Sequence, residues 1–217
     1  MCVLGMKMLE LTGIHFHPAT SETPILNEVN LVARCGSPTT IEGKSGSGKT
    51  TLIEVIGGLA KPQRGLIKWC NKGLSIRQRK RLCGVVFQFP ERYFLGLTIA
   101  QELRLGQIRL GTEEQMEILN KVGLSEIELR EAPENLSGGQ QRRLAIAVQL
   151  LKRPDILLFD EPTAGLDWSV KREIQELLIK LSTNQLVIVV THEPDLFKDS
   201  TFSSFQLTNG ELKQITK

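Results

Sequence analysis

The stretch "EGKSGSGKTT", residues 42–51, places three glycines and two lysines between two apolar segments. So small and polar a segment buries little, and its position needs another reason. Before it, "PTTIEG" (38–43) reads as a short strand. After it, "KTTLIEVIGGLA" (49–60) spaces its apolar residues three and four apart, the period of a helix. Strand, glycine loop and helix fit G-x-x-x-x-G-K-[ST], read at Gly43, Gly48, Lys49 and Thr50. Glycines let backbone N–H groups converge on an anion, and the following helix points its positive dipole end at the same place. The expected ligand is a nucleotide triphosphate, cradled by Gly43, Lys44, Ser45, Gly46, Ser47, Gly48, Lys49, Thr50 and Thr51. Lys49 reaches the terminal phosphates and the Thr50 hydroxyl holds Mg²⁺.

Such a loop needs a carboxylate at the end of a neighbouring buried strand. "ILLFDE" (156–161) supplies two. Asp160 is the expected Mg²⁺ partner, and Glu161 is placed to polarise an attacking water. Farther up the chain, "LSGGQ" (136–140) opens an amphipathic helix. Ser137, Gly138 and Gly139 form a second helix start suited to an anion, with an ordinary helix cap as the plainer reading. One nucleotide has a single γ-phosphate. Two chains packed head to tail would use both starts, each serine loop closing over the other chain's glycine loop.

The remaining chain alternates short apolar runs with helical patterns. "ILNEVNLVA" (25–33), "GLIKW" (65–69) and "CGVVFQF" (83–89) read as strands. "DILLFDE" (155–161) and "NQLVIVVTHE" (184–193) are nearly unbroken apolar runs, as in parallel strands buried on both faces. "SVKREIQELLIKL" (169–181) is an amphipathic helix with Ser169 as its expected N-cap. From about 90 to 150, helical segments replace strand signals. The expected organisation is one α/β domain over 1–217, with 1–89 and 151–217 as nucleotide-binding core and 90–150 as an inserted helical lobe. "LELTGIHFHP" (9–18) and "SFQLTNGELKQI" (204–215) read as small antiparallel additions at the two ends, the second around an Asn-Gly turn.

Composition narrows the class. The 217 residues are 41% hydrophobic, enough for a sizeable core. A formal charge of +3 does not point to nucleic acid, and none is expected as a partner. The basic run Lys72, Arg77, Arg79, Lys80 and Arg81 reads as a solvated helix face. Cys2, Cys35, Cys70 and Cys83 form no C-x-x-C pair, which fits a reducing compartment. The start "MCVLGMKMLEL" has no signal-peptide pattern, and no run approaches the roughly 20 apolar residues that cross a bilayer.

Taken together, these motifs resemble the ATPase subunits of ABC transporters over essentially the whole chain. The resemblance rests on the glycine loop, Gln88 after a strand, "LSGGQ", "ILLFDEP", "AGLD" (164–167) and "VVTHE" (189–193), in that order. "VVFQFPERYF" (85–94) is similar to the energy-coupling-factor and cobalt-type branch. "FQFPER" with "EPTAGLDWS" is similar to cyanobacterial and plastid ABC ATPases. The fold so implied is the ABC ATPase fold, a P-loop NTPase sheet core with an inserted helical lobe and a small antiparallel β part.

The resemblance also implies roles. Gln88 senses Mg²⁺ and the water, and Asp167 lies at a dimer contact. His192 contacts the γ-phosphate and holds Glu161 and the water in line, and Phe16 lies against adenine. Ser137, Gly138, Gly139 and Gln140 close over the ATP of a neighbouring chain. The implied activity is ATP hydrolysis with Mg²⁺. It powers a membrane transporter, with import of a small solute or metal ion as the expected direction. The implied partners are transmembrane permease subunits and a second ABC ATPase, in a homodimer or heterodimer. The implied location is the cytoplasmic or stromal face of a membrane, held peripherally. The second reading is a soluble ABC ATPase of iron–sulfur cluster assembly, which shares the motifs. Within the aromatic cluster Phe87, Phe89, Tyr93 and Phe94, the first two are expected in the core and the last two exposed, lining a groove for a membrane partner's helix.

Overall fold

Every residue of Ile156–Asp160 and of Leu186–Thr191 is buried, so both strands are covered on both faces. The computed structural model describing residues 7–107, 109–197 and 202–215 shows what covers them. The strands are β1 Met8–Phe16, β2 Leu26–Arg34, β3 Thr39–Glu42, β4 Arg64–Trp69, β5 Lys72–Gly73, β6 Cys83–Val86, β7 Ile156–Asp160, β8 Leu186–Thr191, β9 Ser203–Thr208 and β10 Glu211–Gln214. The helices are α1 Lys49–Gly57, α2 Ile76–Leu82, α3 Ile99–Arg104, α4 Thr112–Lys121, α5 Gly138–Leu151 and α6 Trp168–Ser182.

Six strands form one sheet in the order β10-β9-β3-β8-β7-β6, parallel except for β10. Four others form an antiparallel sheet in the order β2-β1-β4-β5. Alternation along the central strands divides the core. Leu157, Phe159, Val187 and Val189 face a cluster built with α3, α4, α5 and α6. Ile156, Leu158, Leu186, Ile188 and Val190 face α1 and the antiparallel sheet. Period-2 side-chain direction thus puts one apolar run into two cores.

The fold is α/β with a parallel sheet and a smaller antiparallel sheet, as expected. The glycine loop lies between β3 and α1, and Asp160 ends β7, the neighbour but one of β3. Ligands of open parallel sheets bind at these carboxyl ends of the strands.

Four expectations change. The final hairpin is not a separate antiparallel addition: β9 pairs parallel with β3, because its Phe205 and Leu207 fill the core beside Ile41. Its turn is as expected, with positive φ at Asn209 (51°) and Gly210 (78°). The N-cap of α6 is Asp167, not Ser169, since the Asp167 carbonyl already accepts from the Lys171 N–H at 2.9 Å. The basic run is not uniformly solvated. Arg79 is buried, and its guanidinium donates to the Val55 carbonyl near the end of α1. Burial lowers its pKa from the usual arginine value. The partition of the aromatic cluster also changes. Tyr93 is exposed, but Phe94 is half-buried against the helical core. The expectations for residues 1–6, including Cys2, lie outside the described residues.

Candidate active site

The loop after β3 turns tightly into α1. Its last residue, Gly48, has φ 97°, and an added Cβ there would lie 2.9 Å from Ile25 Cγ2 and 3.0 Å from the Ile25 carbonyl oxygen. Only glycine meets both demands without strain. Lys49, the first residue of α1, is 7% exposed. Its Nζ donates to the Gly43 carbonyl at 2.8 Å and the Lys44 carbonyl at 3.1 Å, which holds the ammonium across the mouth of the loop. Glu161 Oε1 lies 3.6 Å from the same nitrogen.

On the next residue, Thr50 Oγ1 donates to Asp160 Oδ2 at 2.7 Å. Burial raises the Asp160 pKa above the usual carboxylate value, and the Thr50 hydroxyl opposes the shift. A hydroxyl and a carboxylate in contact at a phosphate cradle are hard oxygen donors, and this donor set fits Mg²⁺. Among the described residues no cluster of three or more His, Cys, Asp or Glu side chains is placed to hold a metal by itself.

Glu161 follows β7 with φ 49°, a left-handed conformation that costs a non-glycine residue about 1–3 kcal/mol. Its N–H donates to the Val190 carbonyl at 2.9 Å, so the neighbouring strand holds it there. The turn aims its carboxylate at His192: Oε2 lies 2.8 Å from Nδ1 and accepts the His192 N–H at 3.1 Å. Lys49 and His192 therefore grip one carboxylate from opposite sides.

Lys49, Thr50, Asp160, Glu161, His192 and Gln88 all line one cavity of about 540 Å³, together with Ser45, Gly46, Gly48 and Thr51. Gly43, Lys44 and Ser47 line a neighbouring cavity of about 900 Å³ behind the loop. The structure does not bring the other predicted residues into the 540 Å³ cavity. Phe16, at the end of β1, is half-buried against the antiparallel-sheet core. Ser137 and Gly138 are exposed at the start of α5, and Asp167 is exposed at the start of α6. The plainer reading of Ser137 holds as local structure: its Oγ accepts the Gln140 N–H at 3.4 Å, and Gln140 Oε1 accepts the Ser137 N–H at 2.8 Å.

Some site residues carried no sequence signal. Ile25 lines the cavity from the start of the second strand, and only its contact with Gly48 shows why. Lys171 and Glu193 form an ion pair beside His192. They lie 22 residues apart, a spacing that no local pattern marks.

Comparison with known proteins agrees with this geometry. A family profile described as "ABC transporter" matches residues 26–164. The chain is 38% identical over 203 residues to "ABC transporter I family member 11, chloroplastic" of Arabidopsis thaliana, covering 85% of this chain and 72% of the relative. It is 38% identical over 201 residues to the energy-coupling factor transporter ATP-binding protein EcfA2 of Acetivibrio thermocellus, covering 87% and 71%. Among solved structures, CbiO1 of Clostridium perfringens, described as part of the ABC transporter complex CbiONQ, superposes with TM-score 0.85 at 28% identity, covering 96% of this chain and 88% of that one. A dimeric bacterial ABC transporter cassette superposes with TM-score 0.79 at 29% identity, covering 96% and 99%.

Proposed function

This chain belongs to the ABC transporter family as an ATP-hydrolysing subunit, and we propose that it powers uptake of a small solute or metal ion through a membrane permease by ATP-driven closure of a dimer. The observation that carries this reading is the separation of two phosphate-directed groups. Lys49, Thr50, Asp160, Glu161, His192 and Gln88 share one cavity, while the exposed Ser137 helix start does not line it. Beyond capping its own helix, the second group in this reading meets a triphosphate across a chain boundary. Each copy carries both groups, so two copies suffice. Asp167, exposed next to the segment that holds Glu161, then lies at the dimer contact, and Phe16 receives the adenine.

Hydrolysis at such a site is a matter of position and charge. Lys49 and the loop N–H groups bind the β- and γ-phosphates. Thr50 and Asp160 would hold Mg²⁺, and Gln88 lines the same cavity. The metal supplies charge neutralisation on the phosphates when bound. Glu161 orients the attacking water and takes its proton at a carboxylate oxygen. His192 fixes that carboxylate and faces the γ-phosphate. Loss of the γ-phosphate removes the bridge between copies, and the dimer opens.

The division into a core (1–89 and 151–217) and a helical lobe (90–150) belongs to the same proposal, with Gln88 at the joint. Next to that joint lies a groove of about 680 Å³, lined by Glu54, Val85, Phe87, Tyr93, Phe94 and Val148 among others. Tyr93, Leu95 and Leu97 are exposed near it. A permease helix seated here would feel the lobe move. Among the described residues no helix is long and apolar enough to cross a membrane. In this reading the transmembrane path is supplied by partner chains, with this subunit at their cytoplasmic or stromal face. The uptake direction draws on the resemblance of "VVFQFPERYF" (85–94) to the energy-coupling-factor and cobalt-type branch.

The test is Tyr93→Asp in the transporter purified with its permease. Uptake driven by ATP should fall at least tenfold while ATPase activity of the isolated subunit stays within twofold. Unchanged uptake and copurification would remove the groove from the account. Failure to find any membrane partner, with an iron–sulfur scaffold captured instead, would replace the transport reading.

A further inference from the structure

Glu193 follows His192 directly and is not used by the chemistry described above. Its carboxylate is nonetheless held from two elements. Lys171 Nζ contacts both oxygens, at 2.7 Å (Oε1) and 2.8 Å (Oε2), and Thr163 Oγ1 donates to Oε2 at 3.4 Å. The Glu193 N–H donates to Thr191 Oγ1 at 2.9 Å, closing a small turn around His192. Lys171 lies one turn into α6, where its N–H caps back to the Asp167 carbonyl at 2.9 Å. Thr163 lies two residues beyond Glu161. Three segments thus close into a ring: the Glu161 turn, the Asp167 helix start and the His192 turn.

We propose that Lys171 and Glu193 form a positioning strut, which holds His192 against Glu161 and transmits the state of the Asp167 loop to that contact. The inference rests on the reading of Glu161 and His192 as the hydrolytic pair. The pair is suited to the task. The Lys171 side chain is 16% exposed and that of Glu193 34%, so water competes for it less than for a surface pair. Neither residue lines the cavity that holds Lys49 and Thr50, so neither is needed to bind the triphosphate. Movement of Asp167 at a closing dimer contact shifts Lys171 with the same turn of helix. The shift passes through the carboxylate to the residue beside His192. Hydrolysis would then respond to closure of the dimer without a change in nucleotide contacts.

The test compares Lys171→Met, Glu193→Gln, the double variant and Lys171→Arg with the parent protein. ATP affinity is measured by titration calorimetry with Mg-ATP, and rates are divided by the titrated number of sites, so unfolded protein does not register as slow enzyme. Each single loss should lower kcat about tenfold with KM and affinity within twofold, because a shift in position acts on the transition state. The double variant should be no slower than the worse single one, since both cut the same strut. Lys171→Arg, which keeps the cation, should retain most of the rate. Rates within twofold of the parent, losses that multiply in the double variant, or a loss confined to KM would overturn the strut. Glu161→Gln runs beside them. If it still turns over, the reading of the hydrolytic pair has failed; if it is dead while Lys171→Met and Glu193→Gln are normal, the strut alone has failed.

Discussion

At Lys49 a buried cation is surrounded on one side by two loop carbonyls and a carboxylate. This is how a fold can keep a charge at 7% exposure while aiming it at an incoming anion. The same physics acts elsewhere in the fold. The Cys35 thiol is pushed up to about 11, first by burial and then by Asp155 and Cys70, with the Lys7 ammonium pulling the other way. Only the thiolate is nucleophilic, so a thiol raised in this way stays mostly protonated through neutral pH. In a variant retaining Cys35 as its one cysteine, the iodoacetamide rate should climb about tenfold per pH unit from pH 8 to 10 with no plateau below about 11. Stopped-time mass spectrometry would read it. A plateau near pH 9 would show that the thiol is not shielded as described.

Elements meet at points where a single atom decides the fit. A Cβ on Gly139, in the first turn of α5, would lie 2.4 Å from Val170 Cγ1 on α6. Gly139→Ala should therefore cost about 1–3 kcal/mol in urea unfolding. Adding Val170→Ala, which removes the clashing methyl, should recover much of it. No recovery would mean that the two helices are not packed as described. This contact also marks where sequence reading stops. The glycine loop, the carboxylates ending β7 and the apolar runs of β7 and β8 were legible, because each rests on spacing within one segment. The Asn209-Gly210 turn was legible for the same reason. What was not legible depends on partners far away in the chain. Arg79 looks like its exposed neighbours until the end of α1 arrives beneath it. The left-handed turn at Glu161 is set by the Val190 carbonyl on another strand. The membership of β9 in the parallel sheet follows from Phe205 and Leu207 finding the same core as Ile41. The start of α6 at Asp167 was missed because Ser169, a good cap by type, lies inside the first turn.

For the molecule as a whole, two cores share one sheet. The antiparallel side supports the glycine loop through Ile25 and α1, and the helical side carries Ser137. Asp160, Glu161 and His192 leave the sheet at the ends of β7 and β8, between the two. In the proposed cycle, a nucleotide held by one side is covered by the other side of a second copy, and these parts close and open together. Glu161→Gln keeps the shape and removes the proposed base, so it should bind Mg-ATP, stop turnover and accumulate the closed form. Sedimentation velocity of that variant with saturating Mg-ATP tests this most directly. The account predicts a dimer holding two ATP molecules that reverts to monomer when nucleotide is removed. A monomer that stays single with one ATP bound, or a variant that hydrolyses ATP at the parent rate, would contradict it.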